Sequence, residues 1–281
     1  MARDRPREPT EARRARERTS AEGRRAGRES GSVIAGRGMH RGHEATLRLR
    51  PASGPVTLNG VPIGELVLTS TDRSTTVNGI GTVEHLFAAL EARSIRTGLA
   101  IELEGPEVPL ADGGSATFFD ALPEVPAGPR PVIVRDAIIE GYTFHPGPEV
   151  HVEVAVDYGD ARIAPGASWN GDAADFRARI APARTFGFEH ELGDLLVRGL
   201  ASHVRPESVL VFTETDVLAA GRPYEADEPA RHKLLDLLGD LYLHGGAPIG
   251  VLRAEKPGHR RTHEVMRRAL DAGVVRAMIE R

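Results

Sequence analysis

The chain has 281 residues, 40% of them hydrophobic and 27% charged, with a net charge of −4. This balance excludes wholesale disorder and gives no overall case for a nucleic-acid binder. There is no cysteine, which excludes disulfides, thiolate nucleophiles and cysteine-ligated zinc or iron–sulfur sites; a transition metal would have to sit on His, Asp or Glu.

Residues 1–30 hold ten arginines against six acidic residues and almost nothing apolar, a net +4 that leaves −8 for the remainder. Such a segment cannot bury a core, so a disordered tail is predicted. Its charge suits weak attraction to RNA or anionic lipid, and a solvated extension is the plainer reading. It lacks the apolar stretch of a secretory signal, and its acids argue against a mitochondrial transit peptide. No apolar run approaches ~18 residues, so no membrane span is expected and a cytoplasmic protein is predicted.

From residue 31 strands and helices are interleaved. Segment 44–50 has period two and meets Pro51, which predicts a strand ending there. Segment 82–92 spaces Val83, Leu86, Phe87 and Leu90 as a helix does. Residues 98–104 read as a strand and 115–122 as a short helix. Four prolines within 123–131 mark a linker. Beyond it, 131–139, 150–157 and 208–212 read as strands, and 172–180 and 192–199 as helices. Segment 231–244 is the clearest helical pattern, 248–254 a strand and 259–272 a last helix. Two halves that each mix strands with helices predict an α+β fold, with domain I over 31–125 and domain II over 126–281.

Two segments carry chemistry. Along 231–244, His232, Asp236 and Asp240 recur every four residues and line one helical stripe, opposite Leu234, Leu237, Leu238 and Leu241. A His and an Asp at i and i+4 can grip one cation, although a polar face meeting water has the same pattern. The other segment is Glu84-His85, near the start of the helix predicted over 82–92. His85 would complete two histidines and an aspartate with one position open, the ligand count of a catalytic zinc rather than a structural one. Glu84, next to a ligand, could take a proton from water. Thr82 as N-cap with Glu84 in the first turn is the structural alternative, and both readings can hold.

His259 sits in a loop leading into the last helix. It is either a general acid, given the near-neutral pKa ordinary for histidine, or a surface side chain. Only Lys233 and Lys256 are lysines. Lys233, beside His232, offers a compact ammonium for a phosphate or a carbonyl oxygen.

Together these residues resemble the UDP-3-O-acyl-N-acetylglucosamine deacetylases, the zinc amidases of lipid A synthesis. Matching blocks run in order: GRGMHRG at 36–42, TVEHLFAAL at 82–90, EVPLADGGSATFF at 107–119, ARTFGF at 183–188 with RGL at 198–200, DEPARHKLLDLLGDLYL at 227–243, and KPGH at 256–259. The resemblance implies two α+β domains of similar topology, each a sheet with packed helices, forming a layered sandwich with the site between them. It implies that His85, His232 and Asp236 ligate Zn2+ and that Glu84 is the general base. His259 would protonate the leaving amine, Asp240 would orient it, and Thr185 would donate to the developing oxyanion. Lys233, Phe186 and His40 would hold a UDP-sugar substrate carrying an acyl chain. The roles of Thr185, Phe186 and His40 rest on the resemblance alone. The implied reaction is hydrolysis of the N-acetyl group to acetate and the free amine, the committed step of lipid A synthesis. A monomer with no nucleic-acid partner is expected, and Fe(II) would suit the same donors as zinc.

Several stretches depart from the family pattern. The segment after RGL reads Ala201-Ser202-His203-Val204-Arg205-Pro206 instead of a Gly-rich run, and 189–194 before it is polar. Both border the family's acyl passage, so a shorter acyl chain, or none, is expected. Segment 50–82 is short, and the family's DGSA reads Asp112-Gly113-Gly114-Ser115. The alternatives are a diverged paralogue acting on another N-acetyl sugar nucleotide and a non-catalytic sugar-nucleotide-binding relative. The latter would have lost a ligand, base or acid, and none is lost.

Overall fold

The computed structural model describes residues 31–40, 42–191 and 204–277. The first half carries β1 (Ser32–Arg37), β2 (Glu44–Pro55), β3 (Thr57–Leu58), β4 (Val61–Pro62), β5 (Leu68–Ser70), β6 (Thr76–Val77) and β7 (Thr97–Glu104). Five of them form one sheet in the order β1-β2-β7-β3-β4, and β5 pairs with β6 apart from it. β2 is antiparallel to β1 and β7, whereas β3 runs parallel to β7. Its period-two pattern buries Ala45, Leu47 and Leu49 on one face. Pro51 does not end the strand as expected. β2 continues to Pro55 through a register shift between Pro51 and Pro55, an irregular stretch where a proline costs no regular ladder bond.

The second half carries β8 (Val132–Ile133), β9 (Ala137–Ile139), β10 (Tyr142–His145), β11 (Val150–Ala155), β12 (Gly166–Trp169), β13 (Thr185–Phe188), β14 (Val209–Phe212), β15 (Val217–Ala219), β16 (Gly250–Glu255) and β17 (Val275–Arg276). A second five-stranded sheet has the order β12-β11-β16-β10-β9, with β11 and β16 parallel. The strand expected over 131–139 is two pieces with different partners: β8 pairs with β17 and β9 with β10. The helix expected over 172–180 is one α-turn, Ala173–Asp175, followed by a π-helical turn, Phe176–Ile180. The tail expected over 1–30 and the helix expected over 192–199 lie outside the described residues, as do residues 201–203.

Four helices frame the site: α1 (Glu84–Ala92), α2 (Ala116–Ala121), α3 (Glu228–Tyr242) and α4 (His259–Asp271). Each large sheet has its own apolar cluster. One gathers Leu47, Leu49, Ile101 and Leu103 with Val83 and with Leu86, Phe87 and Leu90 of α1. The other gathers Phe144, Val152 and Leu252 with Leu234, Leu237, Leu238 and Leu241 of α3. Ala88 and Ala92 of α1 join the second cluster and Tyr242 of α3 joins the first. The two helices are therefore the seam between the halves, and both are buried almost all round. The stripe of His232, Asp236 and Asp240 thus meets protein instead of water, which removes the solvated-face reading. The molecule is a mixed α/β fold, and among the described residues no helix is long and apolar enough to cross a membrane.

Candidate metal centre

α1 does not start as a capped helix. Thr82 has φ +57°, its hydroxyl donates to Glu107 Oε1 at 2.7 Å, and the cap position falls to Val83 without a side-chain bond. The N-cap role expected for Thr82 is therefore corrected. A β-branched residue in the left-handed region is strained, and the tertiary bond to Glu107 outweighs the local capping preference. Glu84 does occupy the first turn, where its Oε2 accepts the Thr75 N–H at 3.0 Å. The carbonyl of His85 accepts the Ser115 hydroxyl at 2.7 Å. The family-like DGG loop ahead of α2 thereby braces the backbone of this candidate ligand.

α3 lies directly against that backbone. A Cβ built on Gly239 would come 2.0 Å from the Glu84 carbonyl oxygen. The close crossing lets His232 and Asp236 face His85. Asp236 Oδ1 is 3.6 Å from His85 Nε2 and 3.5 Å from His232 Nε2. It is also a buried oxygen with no hydrogen-bond partner. His232 Nδ1 donates to the Ala183 carbonyl at 3.0 Å, so Nε2 carries the lone pair. Burial, the largest influence, holds His232 down to about 4, keeping it neutral. Burial opposes ionisation of Asp236, but Lys233 and His232 hold it well below the ordinary carboxylate range. One anionic oxygen without a partner between two imidazole nitrogens fits a divalent cation.

A second trio, Glu84, Asp236 and His259, clusters as closely. Burial pushes the Glu84 carboxyl up, with the positive charge of His259 offsetting part of the rise. Burial would lower His259, but the charge and hydrogen bond of Asp240 lift it to about 10. Asp240 Oδ2 accepts from His259 Nδ1 at 2.9 Å. A protonated imidazole is a poor ligand and a competent acid. His259 is the first residue of α4 and is buried, which corrects its reading as a loop or surface side chain.

The residues expected on resemblance fall around this core. Thr185 is buried at the start of β13, and its N–H donates to the Gly113 carbonyl at 2.9 Å. The preceding Arg184 is locked to Glu228 of α3 through Nε at 2.9 Å. Phe186 sets its ring edge-on to His232, with centroids 6.1 Å apart. Lys233 Nζ donates to Asp236 Oδ2 at 2.7 Å, so its first partner is the candidate ligand. His40 donates from Nδ1 to Glu107 Oε1 at 2.8 Å and lies 3.3 Å from the Thr82 hydroxyl, which brings it to the turn before α1. Lys256 pairs with Asp157 at the surface, 3.0 Å away.

Sequence reasoning missed Thr75, Glu107, Ser115 and Gly239 as supports. Gly239 alone had a readable signal, as a helix breaker inside the strongest helical pattern.

Comparison with known proteins gives the family. The family model described as UDP-3-O-acyl N-acetylglycosamine deacetylase matches residues 29–271. A UDP-3-O-acyl-N-acetylglucosamine deacetylase of Myxococcus xanthus is 32% identical over 84% of this chain and 83% of its own length. Proteins of the same name from Synechocystis and Brucella ovis are 35% and 32% identical, over 81% and 88% of this chain and 92% and 96% of their own lengths. The chain belongs to the UDP-3-O-acyl-N-acetylglucosamine deacetylase family.

Proposed function

We propose that this protein is a Zn2+-dependent amidase that removes the N-acetyl group of UDP-3-O-acyl-N-acetylglucosamine, giving acetate and the free amine. The observation that carries the reading is Asp236 Oδ1, buried and without a partner between the Nε2 atoms of His85 and His232, with Glu84 and His259 beside it. His85, His232 and Asp236 would hold the ion. Zn2+ bound there would supply Lewis acidity, polarising the acetyl carbonyl and making water more acidic.

The chain's own groups divide the proton work. Glu84, one oxygen fixed by the Thr75 amide, takes a proton from the attacking water; its raised pKa brings it closer to the optimum for a base near neutrality. Thr185 stands at the start of a strand anchored by Arg184 and donates to the oxyanion as charge develops. His259, protonated and held at Nδ1 by Asp240, gives a proton to the sugar nitrogen from Nε2. Lys233, Phe186 and His40 bind substrate, with Lys233 also steadying Asp236.

A cavity of about 540 Å³ is lined by Tyr158, Asp160, Arg162, Phe188, His190 and Glu191. One of its lining residues, Tyr158, packs its ring edge-on against Phe186 at 5.3 Å. Its charged lining suits the nucleotide portion better than an alkyl chain, and the sequence departures at 189–194 and 201–206 support a substrate with a short acyl chain. We further read 31–125 and 126–281 as two α+β domains in a layered sandwich, a monomer in the cytoplasm. Each half having its own sheet and apolar cluster supports that division.

The test is acetate release from a series of UDP-3-O-acyl-N-acetylglucosamines by the zinc-loaded protein. Glu84→Ala should cut the rate about 10²–10⁴-fold, the contribution of a general base. No acetate from any member of the series would refute the function, and a preference for long chains would refute the short-acyl reading.

A further inference from the structure

Asp240 faces more than His259. Its Oδ1 accepts the Thr75 hydroxyl at 2.5 Å and lies 3.4 Å from His263 Nε2. The Thr75 hydroxyl oxygen is itself 3.2 Å from His263 Nε2. On its other side, His263 Nδ1 meets His244 Nε2 at 2.9 Å. Thr75, Asp240 and His263 are all buried. Each member of the Asp240–His259 pair thus has a histidine four residues further along the chain. Neither histidine has a part in the chemistry assigned above.

Counting hydrogens fixes the direction of the contacts beside Asp240. An ionised carboxylate only accepts, a threonine hydroxyl has one hydrogen, and a neutral imidazole has one N–H. The Thr75 hydrogen goes to Asp240 Oδ1, so the Thr75 oxygen is left to accept from His263, whose Nε2 must carry the hydrogen. At its other nitrogen, one hydrogen joins His263 Nδ1 to His244 Nε2. Burial first, and His263 beside it second, hold His244 down to about 4, so His244 is neutral. Thr75 and His263 both point a hydrogen toward the Oδ1 side of Asp240, with Oδ2 left facing His259 Nδ1.

We propose that Thr75, His263 and His244 are positioning residues that clamp Asp240 through Oδ1, so that Oδ2 holds the His259 ring in the orientation that delivers its proton. The proposal rests on the reading of His259 as the acid. Its substance is the added layer behind Asp240, built from two histidines and a threonine on three separate segments. Loss of the clamp frees the carboxylate to rotate, and the reacting nitrogen of His259 loses its aim without leaving the site.

The test uses the zinc-loaded full-length chain, His263→Leu, His263→Gln and His244→Leu, with substrate turnover and ring 15N spectra of histidine-labelled protein. His263→Leu should lower kcat about tenfold, the scale of one hydrogen bond to a charged group, with KM changed by less than about twofold. His263→Gln, whose side-chain amide can still donate toward Thr75, should recover most of that loss. In the wild-type spectra His263 Nε2 should carry a hydrogen and its Nδ1 should be hydrogen-bonded, and His244→Leu should shift that Nδ1 signal. An unchanged kcat in His263→Leu, equal losses in both His263 variants, or a His263 Nε2 without a hydrogen would overturn the clamp. The spectra require no turnover, so a wild-type protein that releases no acetate refutes the deacetylase while the His263 Nε2 hydrogen still decides the clamp.

Discussion

At the scale of single residues, Asp236 divides its two oxygens between different tasks. Oδ2 is taken by Lys233, while Oδ1 is left bare toward His85 and His232. Lys233 would therefore act on a metal held there through the candidate ligand it aims, and Lys233→Ala should raise the zinc Kd about 10–100-fold, as loss of an outer partner does. Competition against a chromogenic chelator measures it. A second prediction concerns Glu107, which accepts from Thr82 and from both the backbone and the ring of His40. Burial opposes its ionisation, but those bonds lower its carboxyl from 4.5 to about 2. A carboxyl depressed in the folded state contributes stability that is complete above the unfolded value of 4.5. That contribution is lost as pH falls from there through about 2. The shift corresponds to about 3 kcal/mol. Urea unfolding of Glu107→Gln should show a deficit of that order at pH 7, shrinking toward zero near pH 2, and a gap independent of pH would contradict the assignment.

At the scale of elements, the crossing of α1 and α3 decides whether a site exists at all. Gly239→Ala would put a methyl 2.0 Å from the Glu84 carbonyl oxygen and 2.8 Å from its Cα, atoms of the backbone that no rotamer change can move. α1 must shift, and misplacement by about 1 Å can cost 10²-fold in rate. Acetate release by Gly239→Ala should fall by at least about that factor, with a stability loss of about 1–3 kcal/mol from overpacking. Gly64→Ala, where an added Cβ meets nothing within 4 Å, is the control and should match wild type in both assays. The same crossing explains what was readable beforehand. The shared stripe of His232, Asp236 and Asp240 follows from helical periodicity, a local property visible in one segment. What the stripe faces does not, because α1 is distant in sequence and is brought there by two apolar clusters that each borrow residues from the other's helix. Thr82 was misread for a related reason: its capping preference is local, and the bond that overrides it reaches across to Glu107. Thr75 and Ser115 were invisible because their roles depend on loops folding back onto α1. The HxxxH spacing of His259 and His263 was open to view, but its meaning depends on Thr75 and Asp240 arriving between them.

At the scale of the molecule, the candidate ligands straddle the seam. His85 comes from α1, which packs mainly with the first sheet's cluster, and His232 and Asp236 come from α3, which packs mainly with the second's. The seam also buries the carboxylates of Glu84, Asp236 and Asp240 close together. Like charges taken out of water cost stability unless cations answer them, and Lys233 and His259 answer only part. An ion held by the trio would therefore act as a cross-link between the two halves as well as a reagent. Binding to the folded chain alone stabilises it by about 4 kcal/mol when free metal stands a thousandfold above Kd. For a chain of this size that is roughly a 10 °C rise in Tm. Scanning calorimetry with and without a chelator should show a fall of that order for the wild-type protein. His232→Ala should melt at one temperature in both conditions. Lys233→Ala should lose the metal's stabilisation at limiting zinc and regain it in excess. A wild-type Tm indifferent to chelator would detach the trio from any stabilising metal, and a fall that persists in His232→Ala would move the ion to other ligands.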